Sequence, residues 1–284
     1  MEAEEEGMTT TTKRRHHPHD FSALDPPVPT TMPSLLSAEY REIEMIKHDM
    51  SGVNNQHHVK GGRRACIGIS VLVLYHLYRR LTSPNRKEGD AFIPSVKEWN
   101  ILLERGVELY DVWYQQQPVT PEKFKVFPTV EEVLALEACE PFRSLFKEAP
   151  VEVSGLVRKT SVVENTEGSL TALFIRMRRE ASALRRPVCA LVVIPVAVCI
   201  SVLCRPEPVG KECSFFVFDS HGGSGKNDAL YCELTQFFMA RDTAAYMIQK
   251  YAIESIANVD PEYLSYCTEE EIVSTYSYHA RLFK

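Results

Sequence analysis

The sequence predicts an α+β protein in which a mainly helical first half packs on an antiparallel sheet built from the second half. Three observations carry this reading. Apolar residues recur at helical spacing in several segments before residue 185. Runs rich in β-branched and aromatic residues then cover 188–194, 196–204 and 213–219, separated by turn-forming stretches, as in a meander. Finally, the reactive side chains stand at element ends. Cys66 opens the most apolar helical segment. The last strand run, Phe215-Phe216-Val217-Phe218-Asp219-Ser220-His221-Gly222-Gly223, closes on a carboxylate and an imidazole before a glycine turn.

Taken in order, residues 1–35 hold Thr9-Thr10-Thr11-Thr12, Lys13-Arg14-Arg15, His16-His17-Pro18-His19 and Pro26-Pro27, with too few periodic apolar residues to fold alone. A disordered tail is predicted, its histidines solvated rather than metal-bound, followed by one domain over 36–284. Residues 36–50 are expected to form a short helix, and 51–62, rich in Gly and Asn, a loop. From Cys66 to Leu81 the segment is apolar on nearly every face and ends in arginines, which suits a central buried helix. The pattern Trp99, Leu102, Leu103, Val107, Trp113 predicts a helix pair, or one helix broken at Gly106. Thr129 and Glu132 form a capping-box signal for a helix to Ala138, with a second piece over 140–147. An extended stretch over 150–160, a turn at 165–168 and an amphipathic helix over 169–184 lead into the strands. Residues 229–240 read as a strand plus a short helix, and 242–257 as a helix capped by Asp242. The stretch 260–284 shows no assignable pattern.

Length and composition narrow the function classes. With 284 residues and 44% apolar content, the chain can bury one substantial core and carry a tail. A net charge of −6, from 32 basic and 38 acidic residues, argues against a chain built to hold nucleic acid. Eight cysteines without a CxxC pair suggest neither a zinc ribbon nor a disulfide framework, so reduced thiols, no metal and no other cofactor are expected. The acidic start lacks a secretory pattern, and a reducing intracellular compartment, cytoplasm or nucleus, is expected. Pro187 to Cys204 has about the length of a bilayer helix. Its β-branched residues and central Pro195 make it two buried strands bent at Ile194-Pro195 instead, so no membrane partner is expected. Gly222-Gly223-Ser224-Gly225-Lys226-Asn227 fails as a phosphate-binding loop, because Ser220 stands where a glycine is required and Asn227 where a hydroxyl must hold magnesium.

In an extended chain Asp219 and His221 point the same way and Ser220 the other, so the carboxylate can orient the imidazole. Cys66, after Arg63-Arg64 and at the positive end of a helix dipole, has the setting of a reactive sulfur. Each residue has a plainer reading, Cys66 as a small core residue and His221 as a strand-end surface histidine. Together with Asp219 they favour a Cys66/His221/Asp219 hydrolase. His76 lies nearly three turns along the helix from Cys66 and is assigned to the core.

Cys66 at its helix start, Asn100-Ile101-Leu102-Leu103-Glu104-Arg105-Gly106-Val107-Glu108-Leu109-Tyr110, Gly168-Ser169-Leu170 and Phe216-Val217-Phe218-Asp219-Ser220-His221 follow one another in a familiar order. Over about residues 50–255 the chain resembles papain-like cysteine peptidases, and among them the herpesvirus large-tegument-protein deubiquitinase domains. The resemblance implies a papain-like fold and hydrolysis of the bond after the C-terminus of ubiquitin or a ubiquitin-like modifier, with His and Asp supplied by one Asp-x-His strand. It also implies an upstream glutamine as oxyanion donor. Gln56, ten residues before Cys66, is the nearest candidate, with His57, Asn55 or a backbone amide as alternatives. A monomer acting on modifier conjugates is expected, located in the virion tegument if the chain is viral. The alternative is a catalytically silent papain-like module that binds ubiquitin or another protein.

Overall fold

The computed structural model describes residues 43–85, 92–118, 127–146, 148–157, 168–194, 198–207, 213–223, 231–251 and 277–284. The predicted tail, the 165–167 part of the predicted turn, Pro195 and the segment 224–230 lie outside them. The strands are β1 (Met45–Lys47), β2 (Val151–Leu156), β3 (Val188–Ile194), β4 (Val198–Arg205), β5 (Ser214–Gly223), β6 (Tyr231–Phe237) and β7 (Ser277–Phe283). The helices are α1 (Cys66–Thr82), α2 (Val96–Gln115), α3 (Val130–Ala135), α4 (Glu140–Arg143), α5 (Leu170–Leu184) and α6 (Ala240–Tyr251). All seven strands join one antiparallel sheet in the order β1-β6-β5-β4-β3-β7-β2.

β3 and β4 are buried along nearly their whole length, which alternating side chains allow only when both faces of a sheet are covered. Phe216 and Phe218 of β5 pack with α1 and α2, whereas Phe215 and Val217 pack with α5 and α6. The protein is therefore three layers deep, α1–α4 on one face and α5–α6 on the other, where the sequence suggested one helical half against a sheet. Among the described residues no helix is long and apolar enough to cross a membrane.

Three other expectations change. Within the segment expected to be helical, Met45–Lys47 is an exposed edge strand pairing with β6. The tail end of the chain supplies β7, whose Tyr278, Ala280 and Leu282 face the α5–α6 core and which inserts between β3 and β2. Helix α6 starts at Ala240, so Asp242 lies inside its first turn rather than capping it.

Helix α2 runs unbroken through Gly106. A Cβ there would lie 2.4 Å from Ile69 Cγ1 and 2.5 Å from Ile69 Cα, so the glycine is the point where α1 and α2 touch backbone to backbone. Two serines then fix α1 on the sheet. Ser70 Oγ donates to the Cys199 carbonyl and Ser201 Oγ donates to the Ser70 carbonyl, each at 2.9 Å and fully buried. Ser201 is the register partner of Phe218, and Ser70 lies one turn after Cys66. The start of α1 is thereby set beside the C-terminal end of β5. Trp99 of α2 stacks flat on Phe218 at 5.1 Å between ring centroids and covers the same strand.

Gly106→Ala should therefore destabilise the protein by about 1–3 kcal/mol through overpacking, against a helix-propensity gain of about 1 kcal/mol. Urea denaturation checks this, and a variant as stable as wild type would show that the helices can separate at no cost.

Candidate active site

The apolar run of β5 ends in Asp219, whose residue exposure is 2%. A buried carboxylate needs donors on both oxygens. Asp219 Oδ1 accepts the His221 backbone N–H at 2.9 Å and faces His221 Nδ1, also at 2.9 Å. Oδ2 accepts the Tyr251 hydroxyl at 2.6 Å and the Lys250 ammonium at 2.8 Å, both from the end of α6. Lys250 is shared with Glu233 of β6 at 2.7 Å, and Glu233 also accepts the Tyr246 hydroxyl at 2.7 Å and pairs with Lys47 at 3.3 Å. Burial pushes the Asp219 pKa up, but Lys250 and His221 outweigh it and hold the carboxyl ionised well below the usual range. Lys250 is likewise opposed by burial and kept charged by Asp219 and its neighbours.

Asp219 is held from the α6 side, whereas Cys66 belongs to the core on the α1 side. The imidazole of His221 bridges the layers: it hydrogen-bonds Asp219 and the Cys66 side chain. Strict alternation would keep His221 on the Asp219 face. Between the pairs Asp219↔Glu233 and Gly223↔Tyr231, however, β5 advances four residues while β6 advances two, so the strand bulges where His221 sits. Bulges re-aim side chains in this way. Burial lowers the His221 pKa from its ordinary 6.5, but the hydrogen bonds to Asp219 and Cys66 and the Asp219 charge raise it to about 10. The ring is thus protonated at neutral pH, and its side chain keeps 16% exposure.

Gln56 begins a 3-10 turn, Gln56–His58, capped by Asn55, whose Oδ1 accepts the N–H groups of His57 and His58 at 2.9 and 3.1 Å. Three contacts tie the preceding strand-like segment down: Asn54 N–H to Asn100 Oδ1 at 2.8 Å, Asn100 Nδ2 to the Gly52 carbonyl at 3.3 Å, and the Cys232 thiol to the Asn54 carbonyl at 2.9 Å. The chain then folds back so closely that a Cβ on Gly62 would lie 1.9 Å from the Gln56 carbonyl oxygen. Only glycine fits there, and the approach brings the Gln56 turn next to the start of α1. Fully buried Gln56 accepts the Ser220 hydroxyl on Oε1 at 2.6 Å, and the His57 ring lies 5.9 Å from that of His221.

All four residues singled out from the sequence, Cys66, His221, Asp219 and Gln56, therefore gather at one strand end. His76 stays apart, its pKa lowered by burial and by Arg80. Sequence reasoning missed Lys250, Tyr251, Glu233 and Ser220. The one signal for the first two was positional: Lys250 and Tyr251 continue, four residues on, the buried stripe of Tyr246 and Met247. Among the described residues no cluster of metal-ligating side chains occurs.

No family model matches the sequence, and no curated protein does. Among solved structures the chain is similar to the Pseudomonas avirulence protein AvrPphB, at 12% identity over 85% of this chain and 97% of that one, with a TM-score of 0.36.

Two outcomes follow from the electrostatics. Folding raises the proton affinity of His221, so the stability it contributes is full below pH 6.5 and is lost as pH rises through about 10. Denaturation curves across that window should show wild type weakening and His221→Gln weakening less; parallel curves would refute the shift. Lys250→Met leaves Asp219 and Glu233 without their shared cation and should cost about 3–5 kcal/mol in urea denaturation, with part recovered in Lys250→Met/Glu233→Gln.

Proposed function

We propose that the chain is a cysteine peptidase of papain-like architecture, with Cys66 as nucleophile, His221 as acid and base, and Asp219 as the group that orients the imidazole. The observation that carries this reading is one imidazole hydrogen-bonded to a buried carboxylate on one side and to a helix-opening cysteine on the other. Core cysteines and surface histidines do not arrive at that geometry without a reason to, because it buries an ion and spends a sheet bulge.

In the proposed cycle the Cys66 sulfur, paired with the His221 imidazolium, attacks a carbonyl carbon as a thiolate. The first-turn amide of Cys66 and the Gln56 side chain stabilise the tetrahedral oxyanion. Collapse expels the amine, which takes its proton from His221 and leaves a thioester. Water then attacks the thioester while the now neutral His221 accepts its proton; the acid departs, and the thiolate–imidazolium pair is restored. Asp219 holds the ring through Nδ1, so Nε2 is the atom that exchanges protons with sulfur, amine and water.

For the substrate we propose ubiquitin or a ubiquitin-like modifier, cleaved after its C-terminus. Support for that part comes from the resemblance of the Asp-x-His strand and the helix-start cysteine to the tegument deubiquitinases. We also propose the reducing intracellular setting expected from the sequence, which would protect a nucleophilic Cys66 from oxidation.

Ubiquitin carrying a thiol-reactive C-terminal electrophile should form a covalent adduct with the intact chain, seen as one added mass, and Cys66→Ala should abolish it. His221→Ala should lower amide turnover by ~10²–10⁴-fold. Folded wild-type protein that forms no adduct with ubiquitin or a ubiquitin-like probe would refute the modifier assignment and favour the silent binding module.

A further inference from the structure

The Asp219-Ser220-His221 segment leaves its middle residue unexplained by the cycle above, yet Ser220 is completely buried and its hydroxyl has a single short partner, Gln56 Oε1 at 2.6 Å. We infer that Ser220 is the positioning residue for the oxyanion donor: its hydroxyl holds the Gln56 amide with oxygen turned toward β5 and Nε2 turned away from it, as the reaction requires. The inference rests on the peptidase reading and on Gln56 as its donor.

An amide side chain is nearly symmetric in shape but opposite in function at its two ends, one accepting and one donating. A half-turn about its last bond changes little in packing. It would, however, present a carbonyl oxygen to a developing negative charge, replacing stabilisation by repulsion. Something must therefore distinguish the two orientations, and a donor aimed at Oε1 does so. Ser220 is suited to this because its own position is fixed twice. It lies between Asp219 and the His221 that this carboxylate holds, and its carbonyl accepts the Cys232 thiol at 3.7 Å, the same thiol that reaches the Asn54 carbonyl just before the Gln56 turn. The glycine approach at Gly62 fixes the Gln56 backbone from the other side. One strand segment thus sets the acid-base group and the oxyanion donor in a common frame.

The test uses the full chain and a C-terminal aminocoumarin amide of ubiquitin, with alkylation of Cys66 by iodoacetamide as the second readout. Alkylation forms no oxyanion, so it reports the thiol and His221 alone. Gln56→Ala should lose ~10²–10³-fold in kcat. Ser220→Ala should lose ~10-fold or more in kcat with KM and the pH profile little changed and with alkylation at the wild-type rate. Because Ser220 acts through Gln56, the double variant should be no slower than Gln56→Ala. If Ser220→Ala fails to fold, Ser220→Cys, which keeps a weaker donor, should fall between wild type and Gln56→Ala. Wild-type kcat in the serine variants, losses that multiply in the double variant, or alkylation that falls with turnover would each overturn the inference while leaving the peptidase intact. A Cys66→Ala chain that hydrolyses the amide as fast as wild type would overturn the peptidase reading, and this inference with it.

Discussion

The ionised Asp219 carboxylate, buried at the end of β5, is the constraint from which the geometry of the site follows. A lone carboxylate at 2% exposure would cost several kcal/mol, so every lone pair it presents has to be met. Four donors meet them, and they come from two directions: the backbone and ring of His221 along the strand, and Tyr251 and Lys250 from α6. Lys250 is itself buried and draws in Glu233, which draws in Tyr246 and Lys47. Satisfying one charge has therefore tied β5, β6, β1 and α6 together. The imidazole is the partner that reaches across to Cys66, and its ring is oriented before any substrate arrives.

The opposite layer is positioned by contacts of another kind. Neutral hydrogen bonds between Ser70 and β4, and the glycine contact between α1 and α2, set how far along the sheet α1 lies. These contacts are short and non-ionic, so they fix distance without adding charge next to Cys66. Had α1 been seated by a lysine or a carboxylate, the field at the nucleophile would compete with that of the His221–Asp219 pair. The division of labour leaves the buried ion pairs to the α6 layer and the seating of α1 to neutral contacts.

Much of this was legible in the sequence where local rules decide. Thr129 and Glu132 form the capping box that their spacing announces, and Ser169 caps α5 through the Ala172 N–H at 3.1 Å. The β-branched runs became β3 and β4, and Cys66, Asp219, His221 and Gln56 converged. What was not legible depended on distant partners. Gly106 read as a helix breaker because the helix it must touch is a tertiary fact. β1 is three exposed residues held by backbone pairing, so no apolar rhythm marks it. β7 does alternate, but the strands that receive it are far away in the chain, and a seven-residue pattern after a long stretch without one is a faint signal. The second helical layer was implicit in the two-sided burial of β3 and β4 and could have been deduced from it. The partnership of Lys250 with Asp219 could not, since the stripe that puts Lys250 on the buried side of α6 does not say which distant carboxylate it meets.

The bulge in β5 reconciles these demands. A regular strand gives its odd and even residues to opposite faces, so Asp219 and His221 would both be committed to the α6 layer and no imidazole would meet Cys66. A helix-borne aspartate could have escaped that rule, but it would have lost the two-residue spacing by which one carboxylate oxygen takes both the His221 N–H and its ring nitrogen. The two extra residues of β5 between Asp219 and Gly223 keep that spacing and release the ring from the pleat. Ser220 stays on the α1 side, with the Gln56 turn, as regular alternation requires. Three consecutive residues thus serve three surroundings, the α6 charge network, the Gln56 turn and Cys66, and it is the failure of strand regularity at one point that makes this possible.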